Sequence, residues 1–511
     1  MSRGNGLVVV LVVVLGAAST APVAGATTVT NSGDTGEGSL REEINDTPAG
    51  GVVTFSASSV DPQLDAPEIV IDKNLTIRGL GRSVTKISSL SIDSRIFRIT
   101  PGDVVRIENL EIAGANGPDG ADNPAGTGGN AADGGAILNQ GLLTLSNVAM
   151  VANQGGDGGT PGANGNGGAG GSGGAVASTG GLTVLSSVFS GNFAGDGPSG
   201  AGTGDGGDGG GGGGVFVDNA PLTVRNSVFF TNEAGSAGSG SPGGDDGSGG
   251  GLQLAGTATA TITGTTFEAN RAGDPSTVNQ GTSGAGGFGG GIHSTGASMD
   301  LSNSTVANNN TGAGGTGADG SGAGLYMSGS ANRLVNVTIA RNGIAGDTTS
   351  GGGIARSGGS ALVRNTIVAH NSADTGANCG AAAVTTNGGA NLAYTAGGCS
   401  GFLVGNPVLR GTALTSNFAP GFFGGPTKTY ALGPGSAAAD RVISCTGPTG
   451  LALTTDQRGV KRPQGARCDI GAYERTVAPP PPAPAKKKKK KCKKKKKGGK
   501  KKKKKCKKKK K

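Results

Sequence analysis

The sequence from Gly134 to Asn371 repeats a unit that opens with glycines and one apolar residue and closes on an asparagine. Seven units occur, and the closing asparagine always follows the opening apolar residue by 16 to 18 positions. Successive units start 29 to 40 positions apart, and the variation lies in connectors rich in Gly, Asp and Ser. Units of constant length joined by variable connectors are typical of a solenoid. The opening residues are Ile137, Val176, Val215, Leu252, Ile292, Leu325 and Ile354, and the closing residues are Asn153, Asn192, Asn232, Asn270, Asn309, Asn342 and Asn371.

Within each unit, β-branched runs such as NSVFFTN and NVTIARN are interrupted by glycine and asparagine, which predicts several short strands. No helical period is present, and a unit of this length leaves no room for a crossover helix. We therefore predict an all-β solenoid whose units stack strand on strand, in parallel, as coils of a β-helix. The segment Ile69–Gly81 and the later run VVRIENLEIAGANG have the same character and are interpreted as early coils.

Stacking places equivalent residues of neighbouring coils about 4.8 Å apart. We expect the opening apolar residues to form an interior ladder, and Phe189, Phe229 and Phe267 to stack on one another. The asparagines should form a hydrogen-bonded ladder at a corner, where asparagine tolerates left-handed backbone. The glycine-rich connectors are interpreted as flexible, solvated loops.

Charge divides the chain into an acidic body and a cationic tail. Residues Lys486 to Lys511 hold 22 of the 45 Lys and Arg and no acid, so 23 basic side chains face 34 acidic ones elsewhere. This asymmetry favours an interaction tail over a basic binding domain. The chain also has 105 glycines, four Tyr and no Trp, which suits a thin, repeated core better than several globular cores.

The N-terminus has the pattern of a secretory signal peptide. Arg3 precedes an apolar run, Leu7–Ala17, that is too short to span a bilayer, and Ala24-Gly25-Ala26 is a small-residue cleavage site. We predict cleavage near Ala26, with an uncleaved membrane anchor as the alternative. No later segment has 18 consecutive apolar residues, so we expect no transmembrane helix in the mature chain.

Export permits disulfides, and two local pairings are favoured among four of the six cysteines. Four cysteines allow three connectivities, and reduced, buried thiols are the alternative. The favoured pairs are Cys379 with Cys399 and Cys445 with Cys468. Two further cysteines, Cys492 and Cys506, lie among the tail lysines, which favour the reactive thiolate; they could crosslink chains or be incidental.

Three segments resemble known families. TTVTNSGDTGEGSLREEIN (Thr27–Asn45) resembles the CSLREAI-type opening of secreted bacterial β-helix proteins, in which a short helix caps the first coil; here Gly38 replaces Cys and Glu43 replaces Ala. The GG[AI] and FxxN texture is similar to polymorphic outer-membrane protein repeats and to the pectin-lyase-like right-handed parallel β-helix. Gly405–Glu474 resembles the C-terminal module of bacterial surface β-helix proteins. The resemblance implies a secreted or surface right-handed parallel β-helix, and it implies no reaction.

These observations predict six regions along the chain. They are a signal peptide over residues 1–26, an N-terminal cap with a short helix over 27–60, a parallel β-helix over 61–404, a closing module over 405–475, a proline-rich linker over 476–485 and a poly-lysine tail over 486–511.

Enzymes with this fold act on acidic polysaccharides through side chains that project from neighbouring coils. The position after each opening apolar residue reads Leu138, Ala177, Phe216, Gln253, His293, Tyr326 and Ala355. A His293 base, a Tyr326 acid, and Gln253 or Arg356 holding a carboxylate would suit β-elimination. The alternative, which we favour, is a surface stripe without catalysis, with Phe216, Gln253, His293 and Tyr326 as binding residues. Paired acids suited to glycoside hydrolysis are absent from this stripe.

Scattered aspartates in the connectors offer oxygen ligands for calcium, but the repeated calcium-binding glycine–aspartate pattern is not kept. We therefore predict no metal or cofactor, with calcium as the alternative. Asp245 and Asp246 lie in a connector that we expect to hold no fixed separation. His370 is interpreted as a corner residue.

The tail should bind polyanions in a strongly salt-dependent way, from Lys486 to Lys511. For an exported protein these are anionic wall polymers, acidic polysaccharides and lipid headgroups, with nucleic acid less favoured. We predict a secreted, cell-surface protein without catalysis, adhesive or structural, and retained by its tail. A polysaccharide lyase or hydrolase is the alternative.

Overall fold

The computed structural model describes residues 25–56, 61–65, 67–91, 93–274, 284–313, 317–329, 331–343, 351–380, 385–386, 389–394, 399–412 and 419–476. The chain divides into two units, Met1–Arg475 and Thr476–Lys511, and the fold below belongs to the first. The predictions for the signal peptide, the proline-rich linker and the tail with its two cysteines lie almost wholly outside the described residues.

Three long sheets form the body. Sheet 1 has nine strands: Ile69–Ile71, Phe97–Ile99, Ile137–Asn139, Val176–Ser178, Val215–Asp218, Leu252–Ala255, Ile292–Ser294, Leu325–Met327 and Ile354–Arg356. Sheet 2 has twelve: Ala26–Val29, Gly51–Phe55, Leu75–Arg78, Val104–Glu108, Leu142–Ser146, Gly181–Leu185, Pro221–Arg225, Thr259–Thr263, Ser298–Ser302, Ala331–Val335, Ser360–Arg364 and Thr385–Thr386. Sheet 3 has twelve: Gln63–Leu64, Lys86–Ser89, Glu111–Ala113, Ala149–Val151, Val188–Ser190, Val228–Phe230, Thr266–Glu268, Thr305–Ala307, Thr338–Ala340, Ile367–Ala369, Leu392–Tyr394 and Leu403–Val404.

Each coil passes through one strand of sheet 1, then sheet 2, then sheet 3, and a connector returns the chain to sheet 1. All pairings within the three sheets are parallel, and equivalent residues align coil on coil, as Ile137, Val176 and Val215 do. Parallel neighbours joined by such crossovers follow the right-handed sense. The chain is therefore a right-handed parallel β-helix, as predicted.

The core is the interior of the coils, built from alternate residues of each short strand. The seven opening apolar residues are all buried. The rings of Phe189, Phe229 and Phe267 stack with centroids 4.8 and 4.7 Å apart. This spacing equals the coil repeat, so both predicted interior ladders are confirmed.

The asparagine ladder is also confirmed. Each buried asparagine donates its Nδ2 to the Oδ1 of the asparagine one coil later, over 2.7 to 2.9 Å. The same Oδ1 accepts a backbone N–H, so every rung holds two coils together. Asn371 donates in turn to Asn378, over 3.0 Å, which adds a rung that the repeat pattern did not predict.

The expectation of left-handed backbone at these asparagines was wrong. The left-handed residue is the one before each rung, such as Thr231 at φ 52° or His370 at φ 59°. That turn directs the following asparagine into the coil, where its amide is buried. His370 is thus a corner residue, as interpreted. Left-handed asparagines form a separate row between sheets 2 and 3: Asn109, Asn147, Asn226, Asn303, Asn336 and Asn365.

Where the structure describes them, as over residues 154–175, 193–214 and 233–251, the connectors between sheets 3 and 1 are ordered, which corrects their interpretation as flexible loops. Their glycines approach one another so closely that backbone N–H groups donate to carbonyls on the adjacent pass of chain. Gly210 donates to Gly195, Gly235 to Gly210 and Gly247 to Gly235, each over 2.8 Å. We call this stack the glycine array. Aspartates at its edge reinforce it, because the Oδ1 of Asp157 accepts the amide of Asp196, one coil later, over 2.8 Å.

Helix α1, Leu40–Asp46, lies at the N-terminal end of the solenoid. Ser39 caps it by accepting the amide of Glu42, and Leu40 and Ile44 are buried in the core. Among the described residues it is the only helix.

The described residues of 405–475 pack on the outward face of sheet 3, as Thr429 does when its hydroxyl accepts a hydrogen bond from Thr305 over 2.9 Å. A short antiparallel pair, Leu409–Arg410 with Ala431–Leu432, lies within this segment, which we call the lateral module. Tyr430 is fully buried against Ala307 and Ala340. Most outward residues of sheet 3 in these coils are small, apolar or threonine, and the buried Glu268 pairs with Lys428 of the module over 2.8 Å, so this face accepts a packed layer.

Both favoured disulfides are present, Cys379–Cys399 and Cys445–Cys468, with Cα atoms 5.0 and 6.2 Å apart. The second lies within the lateral module. Two intramolecular disulfides fit a chain that folds in an oxidising, extracellular environment. Among the described residues, no helix has the length and apolar character needed to cross a membrane.

Candidate functional site

The predicted stripe runs along sheet 1 in consecutive strands. The parallel register aligns Phe216 with Gln253, Gln253 with His293, and His293 with Tyr326. The aligned stripe continues to Ala355 at one end and to Ala177 at the other. The residues that the repeat pattern predicted to be neighbours are far apart in the chain and adjacent in sheet 1.

His293 is not an exposed surface residue. Its side chain is only 8% exposed, and both ring nitrogens have partners. Nε2 lies 2.8 Å from the Thr295 hydroxyl, and Nδ1 lies 3.5 Å from the Gln253 amide nitrogen. Burial disfavours the imidazolium ion and lowers the pKa of His293 to about 4.

The burial comes from the glycine array, which packs against the stripe. Phe288, at the end of a connector, lies with its ring centroid 4.7 Å from Tyr326 and 6.3 Å from His293. The His293 and Tyr326 rings are 5.3 Å apart. The sequence analysis did not identify Phe288 or Thr295. The available signal for Phe288 was its position as the one large side chain in the glycine-rich stretch GAGGFGG.

Arg356 does not join the stripe. It aligns with Met327, an inward position, and its guanidinium donates to the carbonyls of Gly358 and Gly359. A role in holding a substrate carboxylate beside His293 and Tyr326 is therefore not supported by its placement.

The chemistry available at the stripe is limited. A general base must reach the proton that it removes and is most effective with a pKa near the working pH. His293 is neutral at neutral pH, is a weak base, and has both nitrogens engaged. What the stripe offers is an aromatic and amide surface, formed by Phe288, Tyr326, Gln253 and the half-buried Phe216.

Carboxylates in the glycine array are fixed in place, which corrects the expectation for Asp245 and Asp246. The Oδ1 of Asp245 accepts the Ala285 amide over 3.0 Å, and that of Asp246 accepts the Ala237 amide over 2.8 Å. Asp246 is 7% exposed, and burial raises its pKa to about 7. Within the described part of the chain, no three His, Cys, Asp or Glu side chains group as ligands for a metal ion.

No model of a known protein family matches the sequence, and no curated protein sequence does. Pectate lyase Pel9A aligns with 89% of this chain and 98% of its own, at 14% identity and a TM-score of 0.39. The A-module of mannuronan C-5 epimerase AlgE6 from Azotobacter vinelandii aligns over 74% and 99%, at 15% identity and a TM-score of 0.29. ORF18 of Geobacillus virus E2 aligns over 72% of this chain and 60% of its own, at 13% identity and a TM-score of 0.29. The activities in these names belong to those proteins.

Proposed function

We propose that the chain is a secreted surface protein without catalytic activity, adhesive or structural in role. In this proposal the poly-lysine tail, Lys486 to Lys511, retains it on anionic wall polymers. The observation that carries the absence of catalysis is the burial of His293 with both ring nitrogens hydrogen-bonded. The polyanion partner rests on the charge of the tail alone.

The solenoid suits a presenting role because neighbouring coils are joined at several points around each turn. Asparagine rungs, stacked phenylalanines and the glycine array each tie one coil to the next. The stripe of Phe216, Gln253 and Tyr326, with Phe288 beside it, would act as a binding surface for a partner with apolar faces and hydroxyl groups. Aromatic rings favour such contacts because they bury area at low entropic cost.

A polysaccharide lyase or hydrolase is the second candidate, favoured by the alignment of Gln253, His293 and Tyr326 in neighbouring strands. The purified chain, incubated with several acidic polysaccharides, separates the two. We expect no unsaturated product and no new reducing ends. Product formation that disappears in His293→Ala and persists in His370→Ala would overturn the proposal.

Retention by the tail is tested separately, by binding to isolated anionic cell walls across a salt series. We expect the full chain to bind and to release steeply as salt rises, because lysines displace condensed counterions. A chain that ends at Ala485 should not bind. A chain with the tail lysines replaced by glutamine keeps the length and tests charge alone. Unchanged retention without Lys486–Lys511 would rule out the tail as the anchor.

A further inference from the structure

A cavity of about 470 Å³ opens near the C-terminal end of the solenoid, between the last coils and the lateral module. Among the described residues, its walls carry two arginines, Arg364 and Arg441, and no acidic residue. Volumes of this size are common for small-ligand sites. The cavity lies far along the chain from the stripe described above and shares no residue with it.

Like Arg225, these two arginines have no counter-ion among the described residues. Nine other arginines of the body form ion pairs, for example Arg333 with Asp300 and Arg462 with Glu474. Among the described residues, neither Arg364 nor Arg441 forms an ion pair or a side-chain hydrogen bond. The Nε of Arg364 is buried and has no hydrogen-bond partner. An unsatisfied buried donor of a charged group is costly, so an acceptor bound in the cavity beside Arg364 would stabilise it.

The backbone beside both arginines is tied into the fold. Arg364 is the last residue of its sheet 2 strand, Ser360–Arg364. Arg441 precedes Val442, whose backbone pairs with Cys468 in both directions, over 2.9 and 3.2 Å. The disulfide from Cys468 to Cys445 closes the same segment.

Apolar side chains form part of the rim. Leu403 is 48% exposed and Ile443 is 83% exposed, and both line the cavity, as Ala390 does. These side chains offer apolar surface beside the charged part of the cavity. A guanidinium pairs with a carboxylate through a planar fork of donors.

We infer that this cavity binds an organic carboxylate carried on an apolar body, as in the C-terminal residue of a peptide that ends in leucine or valine. The carboxylate would bridge Arg364 and Arg441, and the aliphatic part would cover Leu403 and Ile443. This site is independent of the stripe and of the tail, so its failure leaves the proposed function untouched.

The test is a calorimetric titration of the full chain with N-acetylleucine, compared with its uncharged amide. We expect the acid to bind and the amide to bind at least about tenfold more weakly, since the charged hydrogen bonds are lost. Arg441→Gln should weaken binding of the acid by about tenfold as well. Arg441 is exposed, so this variant keeps its fold where Arg364→Gln could disturb the core.

Arg225→Gln is the matched control, because it removes one exposed arginine from sheet 2 outside the cavity. It should bind as the parent chain does, and any weak binding of acids by the lysine tail is common to all variants. Equal affinity for acid and amide, or an unchanged affinity in Arg441→Gln, would overturn the inference. Tighter binding of galacturonate or inorganic phosphate than of N-acetylleucine would overturn the apolar ligand class.

Discussion

Asparagine rungs join the coils residue by residue, and Asn232 shows what one rung contributes. Its Oδ1 accepts the backbone and side-chain N–H of Asn192, and its Nδ2 donates to Asn270 and to the Phe189 carbonyl. Asn232→Ala removes these four buried hydrogen bonds, and the Asn192 backbone N–H loses its acceptor. We expect a loss of about 3 kcal/mol in the free energy of unfolding, measured in urea.

Asn45→Ala is the control, because Asn45 is exposed and its side chain makes no hydrogen bond within the described residues. It should change stability by less than about 0.5 kcal/mol. Equal effects of the two substitutions would show that the ladder carries no special stability.

Asp246 makes the glycine array sensitive to pH. Burial raises its pKa to about 7, helped by Asp245 and Asp196 and opposed by the Ala237 amide and Arg271. A raised carboxyl pKa means that the folded state binds the proton more tightly than the unfolded state. Its contribution to stability is therefore full below about pH 4, falls as the pH rises to about 7, and is constant above.

Asp246→Asn is neutral at every pH and should abolish this dependence. The measurement is hydrogen exchange at the Ala237 amide, corrected for intrinsic rates, at about pH 5 and about pH 8. In the parent chain, protection should be lower at the higher pH, and in the variant it should be the same at both. Asp245→Asn should retain the slope; an unchanged slope in Asp246→Asn would contradict the assignment.

The sequence predicted the positions of individual residues correctly where the repeat fixes the register. It did not predict contacts with residues from the connectors. Counting along the units aligned Gln253, His293 and Tyr326 correctly. It could not show that Phe288 covers them, because the connector lengths vary and carry no register of their own. The same gap hid the burial of His293, on which its chemistry depends.

At the scale of elements, the prediction that failed concerns the connectors, whose glycine-rich composition indicated flexible loops. Glycine-rich segments without a partner are flexible. In the glycine array, each connector segment instead lies within backbone hydrogen-bonding distance of a neighbouring segment. The neighbouring segment is in place only after the coils stack, so no local sequence pattern predicts it. At Gly235 a Cβ would overlap the Gly195 carbonyl oxygen, which explains why glycine is required there.

Gly235→Ala should therefore force the array apart and cost about 1–3 kcal/mol, with lost protection of the array amides in hydrogen exchange. Gly191→Ala is the matched control. Gly191 has a φ of 62° but open space around its Cα, and equivalent corners carry Ala152 and Ala269 at φ 51° and 57°. If both substitutions were equally mild, the array would not be close-packed in solution.

Across the whole molecule, the sequence predicted the solenoid and its two disulfides well, because both follow from spacing along the chain. It did not predict where the lateral module lies. The docking face comprises outward residues of sheet 3, which alternate with core residues and read as ordinary strand positions. The contacts join residues far apart, as Gln457 does when it donates to Thr266 over 3.0 Å.

Tyr430 is the largest side chain buried between the lateral module and sheet 3. Tyr430→Ala should release the module, since truncating a buried aromatic side chain costs about 3–5 kcal/mol. Limited proteolysis should then cut within residues 405–475 while the coils stay intact. Phe422→Ala, in the same module but 52% exposed, should leave the cleavage pattern unchanged. Matching patterns in the two variants would contradict the packing described.

The proposed role without catalysis depends most on His293 being a buried, neutral structural residue. The chain has two histidines, so its ring resonances in an NMR titration are few, and His370→Asn assigns them. We predict that the His293 signals stay fixed from about pH 8 to about pH 5, because the pKa lies near 4. Titration of His293 with a midpoint between about 6 and 7 would contradict the account, since an imidazole that gains a proton near neutral pH is available for catalysis.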